Sequence, residues 1–433
     1  MQSATATSSR SNLLLIIIAY LGFVGLGMSS SILGVAWPSM RETFVLSLDS
    51  VGILFVCGTI GYSVASVYCG PLLSRIGLGM LLVISALLVG AANLGYALAP
   101  SWWMVVILAL INGLGGGALD SSFNTYFAAN HNSRLMNWLH ACFGLGATFG
   151  PLVMTGLLNA GISWRYGYVV LAAISGVLFL LFLFARSRWH PIIKADANTA
   201  TGTGQRARTT DTLKLSLVWL GIVLFVANVS VEATAGNWSF TLFTEGRLIA
   251  LETAGLWVSI FWASLTVGRV IFGVIVERFS ITTMLRLSMI GCLVGAILMH
   301  SANSDIVSFL GLALIGFWLA PAFPLLIANT QKILGPAHAA NAIGFQVGAA
   351  GIGFAALPGL VGILARSPHV EGIRPFITLM PTIERSALYN PNLEVIVTCL
   401  IGLSVVALVL HEVIIIRSRA HTASVLAQMP VPA

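Results

Sequence analysis

Long apolar stretches separated by short polar breaks run almost the full length of the chain. A bilayer-crossing helix needs about 20 mostly apolar residues. Runs of that kind fall near 13–37, 51–72, 79–98, 103–127, 136–159, 166–185, 215–241, 252–276, 284–302, 306–330, 338–365 and 394–416. The pattern therefore predicts twelve transmembrane helices in an all-α integral membrane protein. Most breaks are short, with two exceptions. The stretch 186–213 is rich in Thr, Ala, Gly and basic residues and reads as a flexible or membrane-surface connector. The stretch 366–393 holds Pro375, Pro381 and Pro391 and reads as a solvated insertion, with a lid as the alternative. These breaks divide the chain into 1–185, a linker 186–213, and 214–433.

The basic residues orient the helices. With both termini on one side, that side collects Arg10, Arg75, Arg134, Arg186, Arg188, Lys194, Arg206, Arg208, Lys214, Arg278, Arg286, Lys332, Arg417 and Arg419. The other side collects Arg41, Arg165, Arg247, Arg366, Arg374 and Arg385. Cytoplasmic loops carry the excess of Lys and Arg, so both termini and the linker are expected in the cytoplasm, in an inner or plasma membrane.

Composition agrees. The 433 residues are 58% hydrophobic and 8% charged, where a soluble domain carries about 25% charged residues. Mean hydropathy is +0.95. The net charge of +7 is dispersed between apolar runs without a basic, aromatic-interleaved stripe, which argues against nucleic acid as a partner. The bilayer and a small molecule are the expected partners, and the chain is expected to act as a monomer. Five cysteines lie inside apolar runs without metal-ligand spacing, and they read as small core residues. No metal or cofactor is implied. The apolar run from Leu13 is too long for a signal-peptide core, so the first helix is expected to be retained.

An internal repeat joins the two halves at a constant offset. Gly52 heads the second span as Gly255 heads the eighth. The run Gly70-Pro-Leu-Leu-Ser74-Arg75 answers Gly273-Val-Ile-Val-Glu277-Arg278, and Asn137 and Gly144 are echoed by Asn341 and Gly348. Six spans separate the copies, so the halves are parallel rather than inverted. On these residues the chain resembles the major facilitator superfamily. Its signature after the second helix is a Gly, an acid four residues later, then Arg and Gly. Gly70, Arg75 and Gly77 match, while Ser74 replaces the acid; the second copy keeps Glu277 and Arg278. The resemblance covers Leu13 to Ile416 and implies a gating role for Arg75, Glu277 and Arg278.

Away from loops and helix ends, the spans hold Asp120 in the fourth, Glu232 in the seventh and Arg269 in the eighth. A charge at mid-bilayer costs at least ~2.5 kcal/mol, which makes each a functional candidate. Asp120 shares a face with Asn124, four residues on, behind Gly113, Gly116 and Gly117. Burial penalises an ionised carboxylate, so Asp120 suits loading and release of a proton; the alternative is an acid permanently satisfied by Arg269 or a hydroxyl. Glu232 shares a face with Asn228, Gly236 and Ser239 and is a second proton-coupling candidate, or else a helix–helix hydrogen-bonding group. Arg269, in Gly268-Arg269 before the second signature loop, reads as structural, pairing near the gate.

Polar and aromatic residues at matching positions of both halves point to the solute site. Span five offers Asn137 and His140, span ten Trp318 and Asn329 around Pro321 and Pro324, and span eleven Gln346. Trp238 and Trp262 complete the candidate lining. Amides, a histidine and indole faces suit a sugar, whose hydroxyls need directional partners and whose C–H faces stack on aromatics. Asp120 with Asn124, and Asn137 with His140, Phe143 and Gly146, resemble the fucose–proton symporter branch and its glucose-carrying relatives. That branch has a second acid in helix one, where Ser29, Ser30 and Ser31 stand here. The resemblance implies proton-coupled uptake of a monosaccharide or similar polyhydroxylated solute, with sodium left open as the coupling ion. Proton-driven efflux is the competing reading, carried by Gly146-Ala-Thr-Phe-Gly150-Pro151. A transporter-derived sensor ranks below both, since neither 186–213 nor the tail has room for a signalling domain. Motifs for a membrane enzyme do not occur.

Overall fold

The computed structural model describes residues 2–131, 133–189, 207–275, 278–300, 304–366 and 390–427. Eleven segments are long and apolar enough to cross a membrane, but Leu48–Leu98 has 51 residues. At 1.5 Å per residue a straight helix of that length would span roughly 75 Å, more than twice the hydrocarbon core. It folds into two spans at Gly77, whose φ of 77° lies in the left-handed region that only glycine enters at low cost. Gly335, at φ 69°, divides the 45-residue helix Ala322–Arg366 in the same way. Space is not the constraint at either glycine, since an added Cβ would meet nothing within 4 Å. The described residues thus hold twelve segments of bilayer-crossing length.

Two spans differ from the expected ones. The first helix, Gln2–Thr43, continues through Pro38 instead of ending before it. Proline is tolerated in membrane helices where neighbours satisfy the freed backbone groups. The tenth span breaks at 320–321, between Asp305–Leu319 and Ala322–Arg366, as its Pro321 suggests.

Glycines set the helix crossings within each half. Gly113 and Gly117 of span four press on the span-two backbone at Gly58 and Tyr62, and Gly61 presses back on Leu110. Gly27 of span one meets Phe143 of span five, and Gly146 meets Val24. In the second half, Gly295 and Gly311 join spans nine and ten, while Gly268 and Gly316 join spans eight and ten. Such small-residue contacts let membrane helices approach closely. Gly27→Leu is therefore expected to destabilise the bundle by ~3 kcal/mol through overpacking. Gly176→Leu, where a Cβ meets nothing within 4 Å, is expected to be neutral. Thermal midpoints of detergent-solubilised variants check the contrast.

The halves meet along three helix pairs. Gly34 of span one packs on Gly236 and Asn237 of span seven, Gly52 and Thr59 of span two on Gly359 and Gly351 of span eleven, and Thr155 and Gly144 of span five on Gly255 and Thr266 of span eight. All these contacts lie between mid-span and the side opposite the chain termini. On the terminal side the same helices part, and an added Cβ at Gly70, Gly273, Gly344 or Gly348 would meet nothing within 4 Å. The apolar core follows the same division. On the side opposite the termini one cluster, including Trp37, Trp164, Trp238 and Phe261, runs through both halves. On the terminal side the clusters each stay within one half, among them one around Phe23, Phe123 and Phe182 and another around Phe225, Phe272 and Met284. The bundle is closed opposite the termini and open toward them.

The described ends of the 186–213 connector are packed down. Trp189 is buried against Phe123 and Tyr126. After residue 206 the short helix Thr209–Leu213 docks on span eleven, with Thr212 Oγ1 3.0 Å from His338 Nδ1 and Asn341 Nδ2 donating to the Ala207 carbonyl at 3.1 Å. The connector, expected to be flexible or membrane-surface, is thus held at its two described ends by ring contacts and hydrogen bonds to the helices. Residues 190–206, and with them Lys194 and Arg206, lie outside the described residues, as do residues 367–389 of the stretch expected to be a solvated insertion.

Candidate functional site

Close packing of spans two and four brings Asp120 its partner. With Gly117 on the Tyr62 backbone, the Tyr62 hydroxyl reaches across and donates to Asp120 Oδ2 at 2.5 Å. Asn124, one turn on, hydrogen-bonds the same carboxyl. The seam continues through Ser121 to Ser66 at 3.0 Å and Ser122 to Cys69 at 3.6 Å. Tyr62 keeps 40% of its surface exposed, and Asp120 is half-buried. Of the two satisfied alternatives for Asp120, the partner is a hydroxyl, not Arg269. Tyr62 escaped the sequence reading, although Gly58 and Gly61 beside it match the glycines of span four.

A second constellation straddles the halves. Glu232 and Arg269 act on each other electrostatically, and Arg269 acts also on His140. Among the described residues Arg269 and Glu232 close no ion pair within 4.0 Å. Arg269 lies one turn toward the terminal side from Thr266, where spans five and eight touch. His140 stands edge-on to Phe23 at 5.6 Å. The group therefore marks the level where the closed part of the bundle gives way to the opening. Arg269 was expected to be structural; it stands here beside an acid and a histidine of two other spans.

The remaining candidates scatter. Asn137 is exposed at the terminal-side end of span five. Trp238 is buried, with Nε1 donating to the Pro358 carbonyl at 2.9 Å and its ring over Gly362. Trp318 packs on Gly291 beside Phe272 and Phe317, inside the second half. Trp262 lies on Gly236, with its Nε1 buried and unpartnered. Asn329 and Gln346 line a cavity of about 20 Å³ between spans seven, ten, eleven and twelve, where Thr330 donates to Gln346 Oε1 at 2.9 Å. That volume suits a water molecule, not a sugar. In this conformation Trp238, Trp318, Asn329 and Gln346 are packed away from the opening. Arg75 and Arg278 are exposed on the terminal side; Glu277 lies outside the described residues. No group of His, Cys, Asp and Glu among the described residues could hold a metal ion.

The closed side carries two ion pairs between the halves, Arg41–Glu245 at 2.5 Å and Arg366–Asp49 at 3.2 Å. Beside them, within the second half, Arg247 is 5% exposed and forks onto Glu394 with two bonds of 2.7 Å. It also donates to Ser308 Oγ at 2.5 Å and the Met299 carbonyl at 2.9 Å. Loop position hid this cluster in the sequence, where Arg247 counts only as an outer charge.

Twelve helices in two parallel halves, closed at one end and holding acids within the spans, are the architecture of a membrane transporter. The chain belongs to the Major Facilitator Superfamily, whose family model matches residues 19–364. Among curated relatives, it is 26% identical over 392 residues to Bypass of stop codon protein 6 of Saccharomyces cerevisiae, covering 83% of this chain and 78% of that one. It is 22% identical over 333 residues to the Glucose/mannose transporter GlcP of Bacillus subtilis, covering 73% and 80%. It is 25% identical over 386 residues to the human Sodium-dependent glucose transporter 1, covering 79% and 72%. Its fold matches the crystal structure of a mutant of the nucleoside transporter NupG, at TM-score 0.73 and 16% identity over 93% of this chain and 99% of that one. It also matches that of a D-xylose-proton symporter, at 0.69 and 16% over 91% and 97%.

Proposed function

We propose that the chain is a proton-coupled symporter that takes up a monosaccharide or a similar polyhydroxylated solute, with both termini cytoplasmic. The observation that carries this reading is the Tyr62–Asp120–Asn124 group. Its partners are neutral, so the carboxyl can gain and lose a proton without breaking an ion pair. An ionised carboxylate here lacks a countercharge, which penalises reorientation of the solute-loaded but unprotonated carrier. Protonation together with solute removes that penalty and links the two fluxes. Glu232, beside Arg269, supplies a second acid in the other half. The sugar-carrying relatives support the solute class. With the termini cytoplasmic, the opening faces inward and the ion-paired side outward.

The test is uptake of labelled sugars into proteoliposomes. Accumulation is expected with an acid exterior and to vanish when protonophore collapses the gradient. Uptake that ignores the proton gradient and follows a sodium gradient would refute proton coupling.

A further inference from the structure

Span two touches both the acid and the opposite half within one helical turn. Thr59 and Ser63 face span eleven: a Cβ at Gly351 would stand 3.0 Å from Thr59 Cγ2 and 3.6 Å from Ser63 Oγ. Tyr62 lies between them in sequence, on the adjoining helix face, and donates to Asp120 on span four. We propose that Tyr62 is a positioning residue that couples the charge state of Asp120 to the closure of span two on span eleven at Gly351.

The physical link is the strength of one hydrogen bond. A phenol donating to a carboxylate makes a charge-assisted bond, roughly twice as strong as one to a neutral carboxyl. Ionised Asp120 therefore holds span two to span four. Protonation slackens that tie and frees span two to shift its Thr59–Ser63 face along Gly351. Few other groups compete for this stretch of span four. The polar groups on Asp120 are Tyr62 and Asn124, and it acts in turn on Cys69 of span two. Span three presents Ser85, Leu88 and Val89 to it at Gly115, and span one presents Leu26 at Gly116.

This inference rests on the proton-coupled reading, and the experiment separates the two. Tyr62→Phe keeps the ring and removes the donor. It is expected to lower gradient-driven accumulation about tenfold, a larger loss than in sugar counterflow, which needs no net proton movement. Its counterflow should also lose the parent's pH dependence, a change that a merely structural tyrosine would not produce. In an independent measurement, spin labels on spans two and eleven are expected to report a pH-dependent distance in the parent. That distance should be fixed in both Tyr62→Phe and Asp120→Asn. If Asp120→Asn loses accumulation while Tyr62→Phe keeps both accumulation and the pH-dependent distance, the coupling role of Tyr62 is wrong and the symport reading stands. If Asp120→Asn keeps gradient-driven accumulation, the symport reading through this acid falls.

Discussion

Asp120→Asn is expected to abolish concentrative uptake while leaving counterflow intact. A one-to-one symporter driven by a gradient of about one pH unit holds an about tenfold solute gradient, since each unit is worth about 1.36 kcal/mol per proton. Asparagine fills the same space and still accepts the Tyr62 hydroxyl, so the spans keep their packing, but it cannot carry the charge. The accumulation ratio should drop to one. Proteoliposomes loaded with unlabelled sugar should still exchange it for labelled sugar. Loss of both activities in a folded variant would instead make Asp120 a solute ligand or a structural residue.

The second large effect is expected far from the pathway, at Arg247. Its guanidinium ties the end of span seven to Glu394 before span twelve and to Ser308 at the start of span ten. Removing one partner of a buried ion pair leaves the other charge unpaired and costs about 3–5 kcal/mol. Arg247→Ala should therefore lose most folded protein, read as the monodisperse fraction in size-exclusion chromatography. The double variant Arg247→Met with Glu394→Leu replaces both charges by apolar groups and should recover most of it. Equal loss in single and double variants would show that geometry, not the unpaired charge, sets the cost.

The twelve spans were legible because each must supply about 20 apolar residues for the bilayer, whatever its neighbours. The parallel halves were legible in the Gly70–Arg75 and Gly273–Arg278 echo. Helix ends were less so. Pro38 reads as a stop by its own chemistry, yet the first helix runs on to Thr43. The left-handed turn at Gly77 falls inside the matched signature, whereas Gly335, which turns the chain in the same way, stands in no motif.

Within the site, the sequence could single out what lies on one helix and not what crosses between helices. Asp120 and Asn124 share a face by spacing alone. Tyr62 belongs to the same group only because Gly117 lets span two approach. Trp238 and Trp318 were drawn toward the pathway by their chemistry, and the structure packs both into the second half. In a membrane protein the faces toward lipid, core and pathway all bear apolar residues, so an aromatic side chain carries no mark of which face it occupies. Arg247 and Glu394 lie far apart in sequence, and only the folded chain brings them together.

Proton movement on addition of sugar tests the central claim most directly. Proteoliposomes in weakly buffered medium, with no gradient imposed, are given a transported sugar while external pH is recorded. Symport predicts alkalinisation of the medium as protons enter with the sugar, and Asp120→Asn should remove it. Acidification would mean exchange of sugar for protons, and sugar entry without any pH change would contradict proton coupling altogether.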